Sequence, residues 1–224
     1  MTHTISMPEA ETAHLEACYS RARVILEYGS GGSTEFAASL EGKLVISVES
    51  DRDWARSLRE KVAASGSKSP VIIQHIDIGA TGDWGRARNN TAWAQFHRYP
   101  AAIWDAPFFR HPDVVLIDGR FRTACLMITL LRITRPVTVL FDDYVTRPKY
   151  HLVEQIIAPT QLVGRMAEFA AEPGLIKPEQ MSFVISQFFQ TTFAVKEDDR
   201  YGLSPAETAV LQHIRGVSEK GLPQ

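Results

Sequence analysis

Five short segments of the chain consist mostly of apolar residues and are bounded by turn-forming or acidic residues. They cover residues 24–28, 44–49, 71–77, 113–118 and 137–142. Nearly continuous apolar runs, which do not alternate with polar residues, are typical of parallel strands covered on both faces by other elements. We therefore predict that these segments are the buried strands of one sheet.

Segments with helical spacing of apolar residues precede or separate these strands. We predict helices over residues 8–21, 34–40, 51–64 and 120–131. Strands that alternate with helices indicate βαβ units and an open sheet with helices on both faces. The predicted fold class is therefore α/β, with a doubly wound and mostly parallel sheet.

One connection between predicted strands is much longer than the others. Residues 78–112 carry three of the four tryptophans, Trp84, Trp93 and Trp104. Connections of this length in a compact domain are usually functional. We interpret the segment as an insertion with a helix and a lid or binding loop, while an insertion that only covers a sheet edge stays open. At least two of the tryptophans are expected in the core.

The chain after residue 142 follows a different pattern. We predict a helix over 150–157 and a strand over 164–171, and the segment 178–192 fits either a helix or a strand. Ser204 and Glu207 form a capping-box signature that predicts the start of a last helix. We treat 1–224 as a single domain with an N-terminal helix in 1–22 and a helical tail in 196–224.

Composition and charge narrow the class of protein. The 224 residues are 45% hydrophobic and 22% charged, with a formal net charge of −2, and no basic stripe marks a nucleic-acid surface. The chain has no secretory signal and no apolar stretch of about 18 residues, so we expect no membrane span and a cytoplasmic location. Cys18 and Cys125 lie outside any metal-ligand spacing and are predicted to be buried, reduced thiols.

Glycines follow the first predicted strand, where the sequence reads VILEYGSGGST over residues 24–34. Glycines between a buried strand and a helix let the backbone approach a ligand, and the helix N-terminus then presents amides to it. This pattern indicates a nucleotide or nucleoside site, with a tight turn that binds nothing as the alternative. The dinucleotide motif G-x-G-x-x-G is incomplete, because Thr34 stands where the third glycine belongs.

Acidic residues end the next three predicted strands, namely Glu49, Asp77 and Asp118. Open α/β sheets bind their ligands at the carboxyl ends of the strands, which is where these carboxylates would gather. Four motifs, the first of which is the glycine turn, resemble those of class I S-adenosylmethionine-dependent methyltransferases over about residues 21–143. They are Glu27-x-Gly29-x-Gly31-Gly32, VISVE ending at Glu49, VIIQHID ending at Asp77, and DVVLIDG with Asp118.

The resemblance implies a Rossmann-like, seven-stranded sheet whose antiparallel last strand comes from the chain after Asp142. It also implies S-adenosylmethionine as the cofactor. Glu27 and the backbone of Gly29 and Gly31 would meet the amino-acid part of the cofactor, Glu49 its ribose hydroxyls, and Asp77 with Ile78 its adenine. The remaining residues of the predicted cofactor site are Ser30, Ser33, Ser50 and Asp118.

Acidic residues near the ends of adjacent strands are candidates for the acceptor side. Asp118, Asp142 and Asp143 could form an oxygen-ligand site for Mg²⁺ or another hard divalent cation. This arrangement is similar to the metal-dependent catechol-type O-methyltransferases, although Asp143 stands where those enzymes have an asparagine. In the metal-free alternative, Asp118 or Asp142 is a general base and His151 is a further candidate catalytic residue.

Arginines follow the same strands, and the sequence alone does not determine which groups they pair with. Arg120, Arg122 and Arg147 would pair either with these acids or with an anionic substrate. A purely structural alternative has Asp142 and Asp143 capping a turn while Arg120 neutralises Asp118.

The sequence thus predicts an S-adenosylmethionine-dependent methyltransferase that acts on a small-molecule acceptor through an oxygen nucleophile. We expect neither a nucleic-acid nor a membrane partner. The sequence leaves open whether the protein forms a homodimer. A nicotinamide-dependent oxidoreductase and a non-catalytic binding module with the methyltransferase fold are the alternatives.

Overall fold

The secondary structure comes from a computed structural model that describes residues 5–194. The strands are β1 (Val24–Tyr28), β2 (Leu44–Glu49), β3 (Val71–His75), β4 (Val114–Ile117), β5 (Val137–Phe141), β6 (Gln161–Val163) and β7 (Met166–Ala171). The α-helices are α1 (Glu9–Arg21), α2 (Gly32–Ser39), α3 (Arg52–Ala64), α4 (Arg98–Ala101), α5 (Arg122–Arg132) and α6 (Met181–Gln187).

All seven strands form one sheet in the order β3-β2-β1-β4-β5-β7-β6. Strands β1 to β5 pair in parallel, whereas β7 is antiparallel to both of its neighbours, β5 and β6. The predicted doubly wound, mostly parallel sheet with an antiparallel last strand is therefore confirmed. The chain crosses from β3 at one edge back to β4 beside β1, which opens a crevice at the carboxyl ends of β1 and β4.

The two faces of the sheet have separate cores because successive strand residues point to opposite sides. On β1, Leu26 packs in the cluster that includes Leu126 of α5, and Ile25 packs in the cluster that includes Leu15 of α1. All four side chains are completely buried. This double burial explains why the parallel strands appear in the sequence as continuous apolar runs.

The insertion at 78–112 contains a helix, as predicted, but the helix is short. The segment holds α4 and three 3-10 turns, Asp83–Gly85, Trp93–Gln95 and Ala102–Asp105. Trp104 is buried, but Trp84 is 76% exposed and Trp93 is 63% exposed. The expectation that at least two of the three tryptophans pack in the core was therefore wrong.

The C-terminal part was predicted less accurately. The predicted helix at 150–157 is a 3-10 helix, Pro148–Gln155, and the ambiguous segment at 178–192 contains α6. Strand β6 was not located in the sequence, although it completes the seven strands that the resemblance implied. The helix expected at Ser204 to Glu207 and the tail 196–224 lie outside the described residues. Within residues 5–194, no helix is long and apolar enough to cross a membrane.

Candidate functional site

The glycine turn after β1 packs directly against the turn after β4. Gly29 has a φ of +101°, and a Cβ atom there would lie 2.7 Å from the backbone nitrogen of Gly119. A side chain at position 29 would therefore meet both an unfavourable backbone conformation and a backbone clash. The next helix, α2, begins at Gly32, so the chain turns from strand to helix within three residues.

Glu27 of β1 stabilises this turn from the protein side and has no exposed surface. Its carboxylate accepts hydrogen bonds from Tyr19 Oη at 2.8 Å and from Thr34 Oγ1 at 2.5 Å, and Thr34 Oγ1 accepts one from Gly31 N at 3.0 Å. Burial raises the pKa of Glu27, and the Thr34 and Tyr19 hydroxyls oppose that rise. Glu27 has no surface on the cavity that lies above the turn. In the structure it positions the turn, and its direct contact with the amino-acid part of the cofactor stays a prediction.

A cavity of about 680 Å³, which we call the main cavity, lies over the glycine turn at the carboxyl ends of the strands. Seven of the predicted cofactor residues line it: Gly29, Ser30, Gly31, Ser33, Glu49, Ser50 and Asp118. Most of the predicted cofactor residues therefore share one surface, and their contact with a cofactor stays a prediction.

Glu49 is the most tightly fixed acid on the wall of the main cavity. Its Oε1 accepts hydrogen bonds from the backbone nitrogens of Ser50 at 2.7 Å and Asp51 at 2.9 Å, and its Oε2 accepts one from Ser30 N at 3.2 Å. The side chain is mostly buried, and burial raises its pKa while the three backbone donors oppose that rise. These bonds hold the carboxylate between the glycine turn and the start of α3.

Asp77 and Ile78 do not border the main cavity. Asp77 is exposed, and its Oδ1 accepts a hydrogen bond from Gly79 N at 2.8 Å, so its side chain stabilises its own loop. Ile78 is buried and lines a second, smaller space of about 20 Å³, which we call the side cavity. The predicted pairing of Asp77 with a bound adenine is therefore not supported by its position.

Asp118, Asp142 and Asp143 converge as predicted, with one oxygen of each within 4.8 Å of the others. Arginines already occupy this cluster. Arg122 contacts Asp118 at 2.9 Å and Asp143 at 3.2 Å, and Arg165 contacts Asp142 at 2.7 Å and Asp143 at 3.2 Å. The guanidinium groups supply the positive charge that a cation would bring, so the divalent-metal site stays a prediction without support from the charge balance.

The three acids differ in access to solvent. The side chain of Asp118 is 35% exposed and borders the main cavity, whereas that of Asp142 is 1% exposed and borders neither cavity. Burial among protein atoms raises the pKa of Asp118 to about 7; Arg122 opposes this rise, and Asp142 and Asp143 add to it. A carboxyl with a pKa near neutrality can exchange a proton at physiological pH.

Asp142 and His151 were candidate catalytic residues, and their surroundings favour structural roles. Both oxygens of Asp142 accept hydrogen bonds from Arg165, at 2.7 and 3.0 Å, which leaves the carboxylate without access to a substrate. His151 Nε2 lies 3.0 Å from the backbone oxygen of Tyr144, the His151 ring packs on the Tyr144 ring, and His151 lines neither cavity. Neither position supports a catalytic role, and both assignments stay predictions.

Several residues of the main cavity were missed by the sequence analysis. Trp54 of α3 reaches across the glycine turn and donates from Nε1 to the backbone oxygen of Ser30 at 2.8 Å. Trp84, which has a φ of 62°, and Tyr99 complete the aromatic part of the wall. No local pattern in the sequence marks these side chains, because each reaches the cavity from a different element. Only Trp84 was considered as a pocket residue.

Cys18 and Cys125 are buried free thiols, as predicted. The structure adds one grouping that the sequence analysis did not expect. Cys18, His14 and Glu168 have potential ligand atoms within 4.8 Å of one another. Since His14 Nε2 lies 2.6 Å from Glu168 Oε2, we interpret the group as a polar contact between α1 and β7.

Comparison with known proteins identifies the family. A methyltransferase-like protein from Silicibacter pomeroyi is 48% identical, superposes with a TM-score of 0.79, and is matched over 83% of this chain and 96% of its own. A methyltransferase from Geobacter sulfurreducens shares the fold at 13% identity, with a TM-score of 0.50 and coverage of 75% of this chain and 82% of its own. No protein-family model and no curated protein matches. The chain belongs to the same family as this methyltransferase-like protein and has the Rossmann-like fold of the class I S-adenosylmethionine-dependent methyltransferases.

Proposed function

We propose that this protein binds S-adenosylmethionine in the main cavity and methylates an oxygen atom of a small-molecule acceptor. The observation that carries the proposal is the open cavity over the glycine turn, with two acids on its wall, Glu49 and Asp118. Its volume of about 680 Å³ falls within the range of about 300–1,000 Å³ that is usual for small-molecule sites.

The residues around the main cavity fit this cofactor. The backbone of Gly29 and Gly31 borders the cavity without side chains, and this lets a ligand approach closely. Glu49 presents a fixed carboxylate whose Oε2 accepts one protein hydrogen bond and can accept a further one from a ligand hydroxyl group, such as one of a ribose. When bound, S-adenosylmethionine supplies a methyl group activated by its sulfonium centre.

Asp118 is the proposed general base for an acceptor hydroxyl. It borders the main cavity, and its pKa of about 7 lets a large fraction of the carboxyl be ionised at neutral pH. Arg122 holds the carboxylate at 2.9 Å, so one oxygen is oriented while the other can accept the proton of a hydroxyl group. The cavity also positions the acceptor, which supplies the remainder of the rate acceleration of methyl transfer.

Isothermal calorimetry tests the cofactor half of this proposal. We expect micromolar binding of S-adenosylmethionine and S-adenosylhomocysteine and no measurable binding of NAD. Absence of binding by both sulfur compounds would refute the proposal and favour a non-catalytic module that kept the fold. Binding of NAD alone would favour the nicotinamide-dependent oxidoreductase.

Turnover with and without metal tests the catalytic half. Because arginines neutralise Asp118, Asp142 and Asp143, we expect methyl transfer to be unchanged by a chelator and by added Mg²⁺. The readout is production of S-adenosylhomocysteine across a panel of small hydroxylated acceptors. Restoration of a chelator-inactivated enzyme by Mg²⁺ would instead assign these three acids to a metal.

A further inference from the structure

Arg120 carries a positive charge for which the described part of the chain provides no counterion. Its side chain borders both the main cavity and the side cavity. The Nε atom is buried without a hydrogen-bond partner, and no ion pair involves Arg120 within residues 5–194. Because the Arg120 side chain is half-buried, its positive charge is partly shielded from solvent, and charged groups in such surroundings are normally paired.

A second arginine, Arg86, lies near Arg120. Its Nε is likewise buried without a hydrogen-bond partner among residues 5–194. Burial lowers the pKa of Arg120, and the charges of Arg122 and Arg86 lower it further. Because Asp118 and Asp143 are already engaged by Arg122, the neighbouring carboxylates do not compensate this charge. The region therefore has an excess of positive charge.

The side cavity brings further donors to Arg120. Lys149 and Thr192 line it, and Lys149 Nζ donates to Thr192 Oγ1 at 3.0 Å. The first turn of α5 also borders this space, and its N-cap residue Phe121 provides no side-chain hydrogen bond to that turn. A compact anion is the ligand class that suits two cations, a hydroxyl group and helix N-terminal amides.

We propose that the methyl acceptor carries an anionic group, a carboxylate or a phosphate, which Arg120 and Lys149 bind. The side cavity of about 20 Å³ has room for little more than a water molecule, so the anion would lie at its opening, beside the exposed Lys149. This inference rests on the proposed methyl transfer, because it assigns the reacting hydroxyl of the same molecule to Asp118. We assign the anion to the acceptor and not to the cofactor because Lys149 and Thr192 line only the side cavity, whereas the glycine turn and Glu49 line only the main cavity.

Anion titration of the protein loaded with S-adenosylhomocysteine tests this site. Saturation fills the cofactor region first, and inorganic phosphate or malonate is then titrated at low ionic strength by calorimetry. We expect binding to the wild type by at least one of the two anions, which also distinguishes phosphate from carboxylate. Arg120→Gln should weaken it about tenfold or more, and Lys149→Gln should weaken it less, because Lys149 is exposed.

Two further variants separate charge from side-chain shape. Arg120→Lys retains the charge and should recover part of the affinity. Arg110→Gln removes an exposed arginine that donates to the backbone oxygen of its neighbour Phe109 and lines neither cavity, so it should leave anion binding unchanged. Thermal unfolding of each variant verifies that it is folded before its affinity is compared.

The possible failures are distinguishable. If Arg120→Gln weakens S-adenosylhomocysteine and leaves anion binding intact, Arg120 serves the cofactor and the inference is overturned. Equal anion binding by wild type and Arg120→Gln, or no anion binding by the loaded wild type, also overturns it. If S-adenosylhomocysteine itself does not bind, the proposed function fails, and the same anion titration without it still tests the Arg120 site separately.

Discussion

Replacing Glu49 by glutamine tests the cofactor site with the smallest change of shape. The two hydrogen bonds to Oε1, from Ser50 N and Asp51 N, are shorter than the one that Ser30 N donates to Oε2. The amide oxygen of the glutamine should therefore remain at the Oε1 position. The amide nitrogen then faces Ser30 N–H and can no longer accept a hydrogen bond from a ligand hydroxyl.

The expected loss of affinity follows from the hydrogen bond between Glu49 and the ligand that disappears. A hydrogen bond to a charged group contributes about 1.5–3 kcal/mol. Loss of one such bond raises Kd roughly 10- to 150-fold. Glu49→Ala is less informative, because it would also leave the three backbone donors of this pocket without their acceptor.

Calorimetry with S-adenosylhomocysteine measures the effect, and thermal unfolding verifies the fold. Asp53→Asn is the matched control: Asp53 borders the same cavity, but its side chain is 81% exposed and pairs with Arg56. We expect the control to bind like the wild type. If Glu49→Gln binds within about twofold of the wild type, the assignment of Glu49 to a ribose-like diol is wrong.

Three further predictions follow from the same geometry. Asp118→Asn should lower kcat by roughly 10²–10⁴-fold. In the wild type, kcat should rise with pH through about 7 as Asp118 loses its proton. If the Asp118→Asn variant keeps this rise, Asp118 is not the base. Gly29→Ala should lower the thermal unfolding temperature, because it adds backbone strain of about 1–3 kcal/mol and a clash with Gly119; an unchanged temperature would contradict the close approach of the two turns. Arg165→Met leaves buried Asp142 without its partner and should cost about 3 kcal/mol in urea unfolding, at the low end for buried pairs because Arg165 is 31% exposed; a loss near zero would show that Asp142 is solvated.

The sheet was predictable where burial leaves a strong signal in the sequence. Strands β1 and β2 agree residue for residue with the predicted ranges, because both faces of each strand are covered and the runs are apolar. Strand β6 has three residues at the sheet edge, and none of them is fully buried. Nothing in so short an edge strand distinguishes it from a loop.

The site was predictable where function depends on local spacing, and not where it depends on distant contacts. The glycine turn and Glu49 could be located because strand ends mark the carboxyl edge of the sheet. The partner of Asp142 could not, since Arg165 lies 23 positions later and reaches it only after β7 folds back beside β5. Thr34 appeared to be a defect in a glycine motif, whereas its hydroxyl bridges Glu27 and Gly31.

The buried link from Tyr19 through Glu27 to Thr34 has a consequence for how a ligand binds. It joins α1, β1 and α2 on the protein side of the glycine turn, independently of anything in the main cavity. The turn is therefore preorganised: the conformational entropy of ordering it is lost when the chain folds, not when a ligand arrives. A cofactor that docks on such a turn retains more of its interaction energy as affinity than one that must first order a loose loop.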